Sequence, residues 1–180
     1  RYVPISLKGH RGEVYSINFS PDSKYLVSAS ADATARIWDN QGALIRRLEG
    51  HSQAVTQAKF SPNGQEILTA SNDKTAKLWN FDGKVLANLS GHQNKIISID
   101  FSENGQYILT ASEDNTVKLW SKTGQLLHTL SHKYSLKNAV FAPNSKYVLT
   151  ISKKGPIKIW YIDGKLLHTF DGDYNSESFS

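Results

Sequence analysis

Apolar residues recur in short runs along the chain, and each run is bounded by residues typical of tight turns. The second run of each period is apolar on both faces, as in Leu26-Val27 and Ile67-Leu68, which predicts a strand covered on both sides. A third run alternates in part and ends at a tryptophan, and a more polar fourth run follows a glycine turn. Each period therefore predicts four short strands, the last of them on the outside.

Several residue types repeat at one spacing. The tryptophans are 41, 41 and 40 residues apart (Trp38, Trp79, Trp120, Trp160). Gly-His pairs recur at the same distance at 9–10, 50–51 and 91–92. A period of about 40–45 residues with these signals is typical of propeller blades, whereas leucine-rich repeats have a period of about 20–29. We predict four repeat units, at residues 7–47, 48–88, 89–129 and 130–169, with partial strands of neighbouring units at 1–6 and 170–180.

On these residues the chain resembles the WD-repeat (β-transducin-like) propeller family over residues 2–170. The resemblance implies an all-β propeller with four four-stranded antiparallel blades. It also implies a hydrogen-bonded tetrad of His, Ser or Thr, Asp and Trp inside each of the first three blades. The residues are His10, Ser28, Asp32 and Trp38; His51, Thr69, Asp73 and Trp79; His92, Thr110, Asp114 and Trp120. We expect part of a larger ring, completed by further blades or by a second copy; a closed ring of four is the alternative.

Composition narrows the class of protein. Hydrophobic residues make up 39% of the 180 residues and charged residues 21%, as in folded proteins. The chain has no cysteine, which excludes a disulfide scaffold, a thiolate zinc site and a cysteine nucleophile. The chain contains no apolar run of about 18 residues, so the sequence predicts no membrane-spanning helix. We expect a cytoplasmic location. Because a translated chain starts with methionine and this chain has none, we expect it to be a piece of a longer product.

The histidines are expected to be structural, because His10, His51, His92 and His132 recur at the spacing of the blades and cannot converge on one metal ion. His128 and His168 are expected at the surface. A Ser-His-Asp triad is the alternative interpretation, but repetition in every blade favours structure over catalysis. We expect no catalytic residue, no metal and no cofactor.

A second repeated feature is a cation two residues before each tryptophan (Arg36, Lys77, Lys118, Lys158). These residues could form a track for a polyanion. We expect instead that each aliphatic stem covers its tryptophan while the charged head reaches water.

The fourth unit departs from the others. Lys154 stands at the aspartate position and is followed by Gly155-Pro156. We expect Lys154 to point to solvent, and whether His132 reaches the tetrad position is left open. The unit also contains seven lysines and one acidic residue, Asp163, although the whole chain has a net charge of only +5.

These lysines define a candidate binding surface. Propeller topology places the loop into the first strand and the turn between the second and third strands at the same end. Lys133, Lys137, Lys153 and Lys154 should therefore converge and receive an acidic partner; an unspecialised surface is the alternative. The corresponding positions in the other units complete the candidate rim. They are Glu13, Tyr15, Thr56, Asn72, Lys95 and Glu113.

The sequence predicts a non-catalytic protein–protein interaction scaffold that binds a protein or peptide. Motifs such as Asp82-Gly83-Lys84 and Asp163-Gly164-Lys165 resemble repeat arrays of bacterial multidomain signalling proteins, which implies a sensing role. One alternative is binding of an acidic polymer or anionic surface through the fourth blade. Nucleic acid is disfavoured because the positive charge is confined to one unit. Another alternative is an enzyme whose catalytic domain lies outside these residues.

Overall fold

The computed structural model describes residues 4–171, which contain sixteen strands and no helix. Consecutive strands pair into four antiparallel sheets of four strands, in simple sequential order. Blade 1 consists of β1 (Val14–Phe19), β2 (Tyr25–Ser30), β3 (Thr34–Asp39) and β4 (Leu44–Glu49). Blade 2 consists of β5 (Val55–Phe60), β6 (Glu66–Ser71), β7 (Ala76–Asn80) and β8 (Val85–Leu89). Blade 3 consists of β9 (Ile96–Phe101), β10 (Tyr107–Ser112), β11 (Thr116–Ser121) and β12 (Leu126–Ser131). Blade 4 consists of β13 (Leu136–Phe141), β14 (Tyr147–Ser152), β15 (Ile157–Tyr161) and β16 (Leu166–Phe170).

Local sequence explains the turns between the first and second strands. In blades 1–3, a serine hydroxyl after the first strand accepts a hydrogen bond from a backbone N–H five residues later, as Ser20 does from Tyr25 at 3.0 Å and Ser61 from Glu66 at 3.0 Å. The turn also needs one residue with positive φ, a conformation that glycine adopts without strain. Gly64 and Gly105 supply it in blades 2 and 3.

Neighbouring blades pack face to face through three hydrophobic clusters. We call the face that a blade turns towards the following blade its front face, and the face that it turns towards the preceding blade its rear face. Between blades 1 and 2, for example, Val27 and Ile37 of the front face meet Val55, Ala58 and Ile67 of the rear face. The second strands β6 and β10 have a blade on each side and are almost wholly buried, whereas β14 of blade 4 alternates between buried and partly buried residues. The prediction of strands apolar on both faces is confirmed.

The two ends of the array remain open. Ile17 of β1 is 50% exposed, whereas the corresponding Ala58, Ile99 and Ala139 are at most 1% exposed. At the other end, the front face of blade 4 borders an apolar cavity of about 440 Å³ lined in part by Leu149. The described residues therefore form part of a ring, and the prediction of an all-β propeller with four-stranded blades is confirmed.

The predicted partial strand at residues 1–6 is not formed in its described part, residues 4–6. Ile5 and Leu7 nevertheless lie against Gly42, just as Leu48 of β4 lies against Gly83 of the next blade. This segment thus occupies the place of a preceding outer strand without pairing. The predicted partial strand at 170–180 has Phe170 as the last residue of β16, and 172–180 lies outside the described residues. Each sheet ends one or two residues beyond its expected unit boundary.

Candidate interaction surface

A chain of hydrogen bonds crosses the interior of each of the first three blades. In blade 2, the Trp79 indole N–H donates to Thr69 Oγ1 at 2.9 Å, and the Thr69 hydroxyl donates to His51 Nε2 at 2.8 Å. His51 Nδ1–H then donates to Asp73 Oδ2 at 2.8 Å. Because indole, hydroxyl and imidazole are buried, each bond satisfies a group that would otherwise lack a partner.

Blades 1 and 3 repeat this geometry. Trp38, Ser28, His10 and Asp32 are joined at 2.8, 2.7 and 2.9 Å. Trp120, Thr110, His92 and Asp114 are joined at 2.9, 2.7 and 2.8 Å. The structure thus places all twelve predicted tetrad residues in three chains with one hydrogen bond at every link.

The aspartate of each tetrad also joins two loops. We call the segment before the first strand the leading loop and the connection between the second and third strands the upper turn. Asp73 accepts from Ser52 N of the leading loop at 3.1 Å and from Thr75 N of the upper turn at 2.9 Å. Thr75 Oγ1 adds a bond of 2.6 Å to the same carboxylate. One carboxylate therefore holds the two loops together at the end of the blade.

The sequence did not identify Thr75 or its equivalents as members of the network. Thr34 and Thr116 make the same bonds to Asp32 and Asp114, at 2.6 and 2.7 Å. The available signal was its recurrence two residues after each aspartate. Each network therefore has five side chains rather than four.

The electrostatics favour an ionised aspartate beside a neutral histidine. Burial acts to raise the pKa of Asp114, but the hydrogen bonds from Thr116, Gln93 N and His92 outweigh it and lower the pKa to about 2. Burial lowers the pKa of His92 below its ordinary value despite the neighbouring carboxylate. The pKa values of Asp73 and His51 are lowered for the same reasons.

Blade 4 keeps the inner half of the network and lacks the outer half. Trp160 donates to Thr150 Oγ1 at 2.9 Å, and Thr150 donates to His132 Nε2 at 2.8 Å. His132 Nδ1–H donates to the Leu130 carbonyl at 3.2 Å, since no carboxylate is present. Burial, followed by the positive charge of Lys158, lowers the pKa of His132 to about 4.

The upper turn of blade 4 has a different conformation. Its counterparts contain a residue with positive φ at Ala33, Lys74 and Asn115, whereas Gly155 does not have positive φ. The following Pro156 explains this difference, because proline favours extended backbone in the residue before it and lacks an N–H. Lys154 is exposed, as expected. The ring of Tyr134 packs against Gly155, where an added Cβ would lie 2.6 Å from Tyr134 Cδ2.

The repeated cations only partly follow the expectation. Lys158 Nζ lies 5.5 Å from the centre of the Trp160 ring. Arg36 and Lys118, however, are 5% and 8% exposed, so their heads do not reach water freely and the expectation is wrong for them. An Arg36 guanidinium nitrogen lies 3.7 Å from Asp32 Oδ2, and Lys118 Nζ donates to Thr129 Oγ1 at 3.1 Å, so polar groups hold both heads inside.

The two outer-strand histidines differ. His168 is exposed, as expected. His128 is half-buried because its ring packs against Gly164 of the next blade, so the surface expectation is wrong for His128. Between residues 4 and 171, no three metal-ligating side chains lie close enough together to hold one metal ion. The same range contains no helix that could cross a membrane.

The leading loops and upper turns all lie at one end of the blades. One backbone bond joins them in each blade, as between Ala31 N and the Glu13 carbonyl at 2.8 Å and between Lys153 N and the Ser135 carbonyl at 2.7 Å. The equivalent bonds in blades 2 and 3 join Asn72 N to Ala54 and Glu113 N to Lys95. The structure thus brings the predicted rim positions to one end of the array.

A β-bulge marks the first strand of every blade at this end. It falls on a residue type that differs from blade to blade, namely Tyr15, Thr56, Ile97 and Lys137. Bulges redirect side chains and are common beside functional sites. The four first strands line an open central cavity of about 480 Å³. Tyr15 and Thr56 line this cavity, and all four bulged residues vary within a framework that otherwise repeats.

Charges at the rim differ between blades 3 and 4. Lys95 Nζ lies 3.3 Å from Glu113 Oε1 in blade 3, so this pair is neutralised. In blade 4, Lys133, Lys137, Lys153 and Lys154 are exposed and form no ion pair with any residue in the described range. We call these four residues the basic corner.

Four-stranded blades packed in sequence, each with the same internal network, define the chain as part of a β-propeller. The chain belongs to the WD40 family, because the family profile "WD domain, G-beta repeat" matches residues 3–39, 42–80 and 83–121, which is more than half of its length. The matched ranges do not include blade 4, which lacks the network's aspartate and threonine.

Several curated proteins are similar over about one repeat. The chain is 51% identical over 43 residues to Taf5 of Schizosaccharomyces pombe, a SAGA and TFIID complex subunit, covering 23% of this chain and 7% of that protein. It is 40% identical over 42 residues to the target of rapamycin complex subunit LST8 of Saccharomyces cerevisiae, covering 23% and 14%. It is 59% identical over 32 residues to WD repeat-containing protein 1 of Gallus gallus, covering 18% and 5%. The similarity thus spans only a small part of each relative.

Proposed function

We propose that the chain is a non-catalytic protein-interaction scaffold that binds a protein or peptide across the rim. The observation that carries this proposal is the set of four bulged residues, Tyr15, Thr56, Ile97 and Lys137, which vary while the surrounding framework repeats. Rigid frameworks with variable residues at one end are suited to selecting partners. Two of the similar proteins are named as subunits of complexes, which agrees with such a role.

Selection from a random peptide library displayed on phage tests this proposal. Tyr15 and Tyr161 form a matched pair, because both are about half exposed and lie at opposite ends of the blades. We expect Tyr15→Ala to weaken selected peptides at least tenfold and Tyr161→Ala to change binding less than twofold. Equal effects of the two variants, or peptides that bind no better than they bind an unrelated folded protein, would contradict the proposal.

A finer proposal is that this scaffold senses a partner or ligand within a larger multidomain protein. The open front face of blade 4 and the open rear face of blade 1 support a larger assembly, since equivalent faces elsewhere are buried. We propose that further blades cover them. A second copy fits less well, because its Ile17 would meet Ile151 and Ile157 where interior blades have mostly alanine. Overpacking of this kind costs about 1–3 kcal/mol.

Sedimentation of the purified chain tests this choice. We expect no stable head-to-tail dimer of the wild-type chain, and stronger self-association of Ile17→Ala, which relieves the crowding. A wild-type dimer that Ile17→Ala weakens would contradict the choice and favour a second copy.

The charge of blade 4 favours a second candidate function, binding of an acidic polymer or anionic surface. Seven of its residues are lysine and one is aspartate. The test compares two double variants. The first pair, Lys137→Glu and Lys153→Glu, reverses two charges of the basic corner, and the second pair, Lys146→Glu and Lys165→Glu, reverses two charges at the opposite end of the blade. Binding to a single-stranded DNA oligonucleotide or phosphatidylserine vesicles should fall with salt and with the first pair only. Equal loss with both pairs would contradict a specific site.

A further inference from the structure

The leading loop of blade 4 retains donors that bind a carboxylate in the other blades. In blades 1–3, the aspartate accepts from the histidine Nδ1–H and from the backbone N–H of the next residue, at 2.9 Å for Gln93 N and 3.1 Å for Ser52 N. Blade 4 has the same two groups, on His132 and Lys133. Lys133 N has no acceptor in the described part of the chain, and His132 Nδ1–H has only the 3.2 Å bond to Leu130.

Cations surround the same place. Lys158 corresponds to Arg36, whose guanidinium lies 3.7 Å from the Asp32 carboxylate. Lys158 has no such acceptor and rests on the Trp160 ring. Lys153 and Lys154, on the upper turn, and Lys133, on the leading loop, are exposed without acidic partners. The donors and charges that serve a carboxylate in the other blades are therefore present here, but the chain does not supply the carboxylate.

We propose that a glutamate or aspartate side chain of an acidic peptide binds between the leading loop and the upper turn of blade 4, in place of the missing tetrad aspartate. The carboxylate accepts from Lys133 N and His132 Nδ1–H, and neighbouring acidic residues of the peptide meet the basic corner. This inference rests on the proposed role in protein binding and names the chemistry of one partner.

A peptide fits these observations better than a long polyanion. The opposite end of blade 4 carries only Lys146 and Lys165, and Lys165 Nζ is 3.7 Å from Asp163. The free charge is therefore a compact corner rather than a track. The equivalent donors of blade 3 also bind a single carboxylate oxygen, Asp114 Oδ2, which is the chemistry expected of one acidic side chain.

The decisive variant transfers the upper turn of blade 3 into blade 4. Lys154→Asp, Gly155→Asn and Pro156→Thr together reproduce Asp114-Asn115-Thr116 and supply the carboxylate from within the chain. Lys154→Gln removes the same lysine but leaves the position vacant, and Lys146→Asp changes charge at the opposite end. Binding of fluorescein-labelled hexaglutamate is measured by anisotropy, with hexaglutamine as the uncharged control.

We expect the three-residue transfer to weaken hexaglutamate binding more than tenfold, Lys154→Gln about threefold, and Lys146→Asp less than twofold. Hexaglutamate should also shift the backbone amide resonance of Lys133 and the Nδ1–H resonance of His132 in the wild-type chain. Equal losses for the transfer and for Lys154→Gln, or no change in the two resonances, would overturn the inference.

Two further outcomes distinguish failure of this inference from failure of the proposed scaffold function. If DNA or phosphatidylserine vesicles bind as tightly as hexaglutamate and the transfer does not affect them, the corner is a polyanion surface and the inference is wrong. If hexaglutamate does not bind while library-selected peptides still require Tyr15, the inference is wrong and the scaffold proposal stands.

Discussion

Blades 3 and 4 have the same four-stranded arrangement and the same bonded histidine, hydroxyl and tryptophan, but only blade 3 has an aspartate at its upper turn. The inner bonds are nearly identical, since histidine Nε2 lies 2.7 Å from Thr110 Oγ1 and 2.8 Å from Thr150 Oγ1. The comparison shows that the packed sheet is sufficient to position the inner half of the network. The aspartate is needed for a different task, which is to join the leading loop to the upper turn.

The largest expected effect comes from removing the shared hydroxyl. Thr110→Val leaves the Trp120 indole and His92 Nε2 without partners inside blade 3, and should lower the free energy of unfolding by about 3 kcal/mol. Thr150→Val in blade 4 should cost about 1 kcal/mol less, because His132 is less buried than His92 and retains access to water. Urea denaturation measures both, with Thr123→Val at an exposed turn as the control. A greater loss in blade 4 would contradict the comparison.

Restoring the carboxylate should have the opposite sign. The transfer of Asp114-Asn115-Thr116 into blade 4 should raise the free energy of unfolding by about 1 kcal/mol, since it adds hydrogen bonds to a charged acceptor. The same denaturation experiment measures the change. A lower stability would mean that the contact between Tyr134 and Gly155 fixes this turn more effectively than the aspartate does.

Acid should remove the contributions of Asp114 and His132 in different pH ranges, beside similar losses at the other network aspartates and at His51 and His92, whose pKa values are also lowered. The pKa of Asp114 is about 2 in the fold and ordinarily 3.8, so its contribution is present above about pH 4 and is lost as the pH falls towards 2. The pKa of His132 is about 4 in the fold and ordinarily 6.5, so its protonation destabilises blade 4 as the pH falls from 6.5 towards 4.

Denaturation at a series of pH values measures this difference. Asp114→Asn should flatten the stability curve between pH 4 and 2, and His132→Gln should flatten it between pH 6.5 and 4, as expected from the shifts that each variant removes. A His132→Gln curve parallel to that of the wild type would contradict the assignment to blade 4.

The smallest expected effect on stability comes from the rim. Glu113→Lys gives blade 3 an unpaired basic surface like that of blade 4, and loss of the exposed pair with Lys95 should cost about 0.2–1 kcal/mol. If the basic corner binds through its vacated carboxylate position, this variant should not create a second hexaglutamate site. A second site of equal affinity in a titration would show that surface charge is sufficient.

The sequence predicted the fold because one pattern of strand and turn signals occurs four times along the chain. Each tryptophan, each two-sided apolar strand and each turn residue is a local signal, and repetition at 40–41 residues separates those signals from chance. The tetrad membership could be inferred in the same way. Thr75 could also have been identified, since it recurs, but its role depends on reaching the Asp73 carboxylate across the turn.

Other features could not be predicted, because they depend on the distance between segments that lie far apart in the sequence. The burial of Arg36 follows from its position beside Asp32 within the blade, and the burial of His128 follows from Gly164 of the next blade. The β-bulges at Tyr15 and Lys137 arise from the register between the first two strands, which residue types do not specify.

The sequence by itself determined the blades, since periodic hydrophobicity and turn chemistry act locally. It also located the loss of the aspartate and the excess of lysines in the fourth unit. Tertiary structure decided which faces remain open and which rim charges are neutralised. It also decided that His132 Nδ1–H donates to the Leu130 carbonyl and that Lys133 N has no acceptor among the described residues, because these contacts depend on how the leading loop packs against the blade.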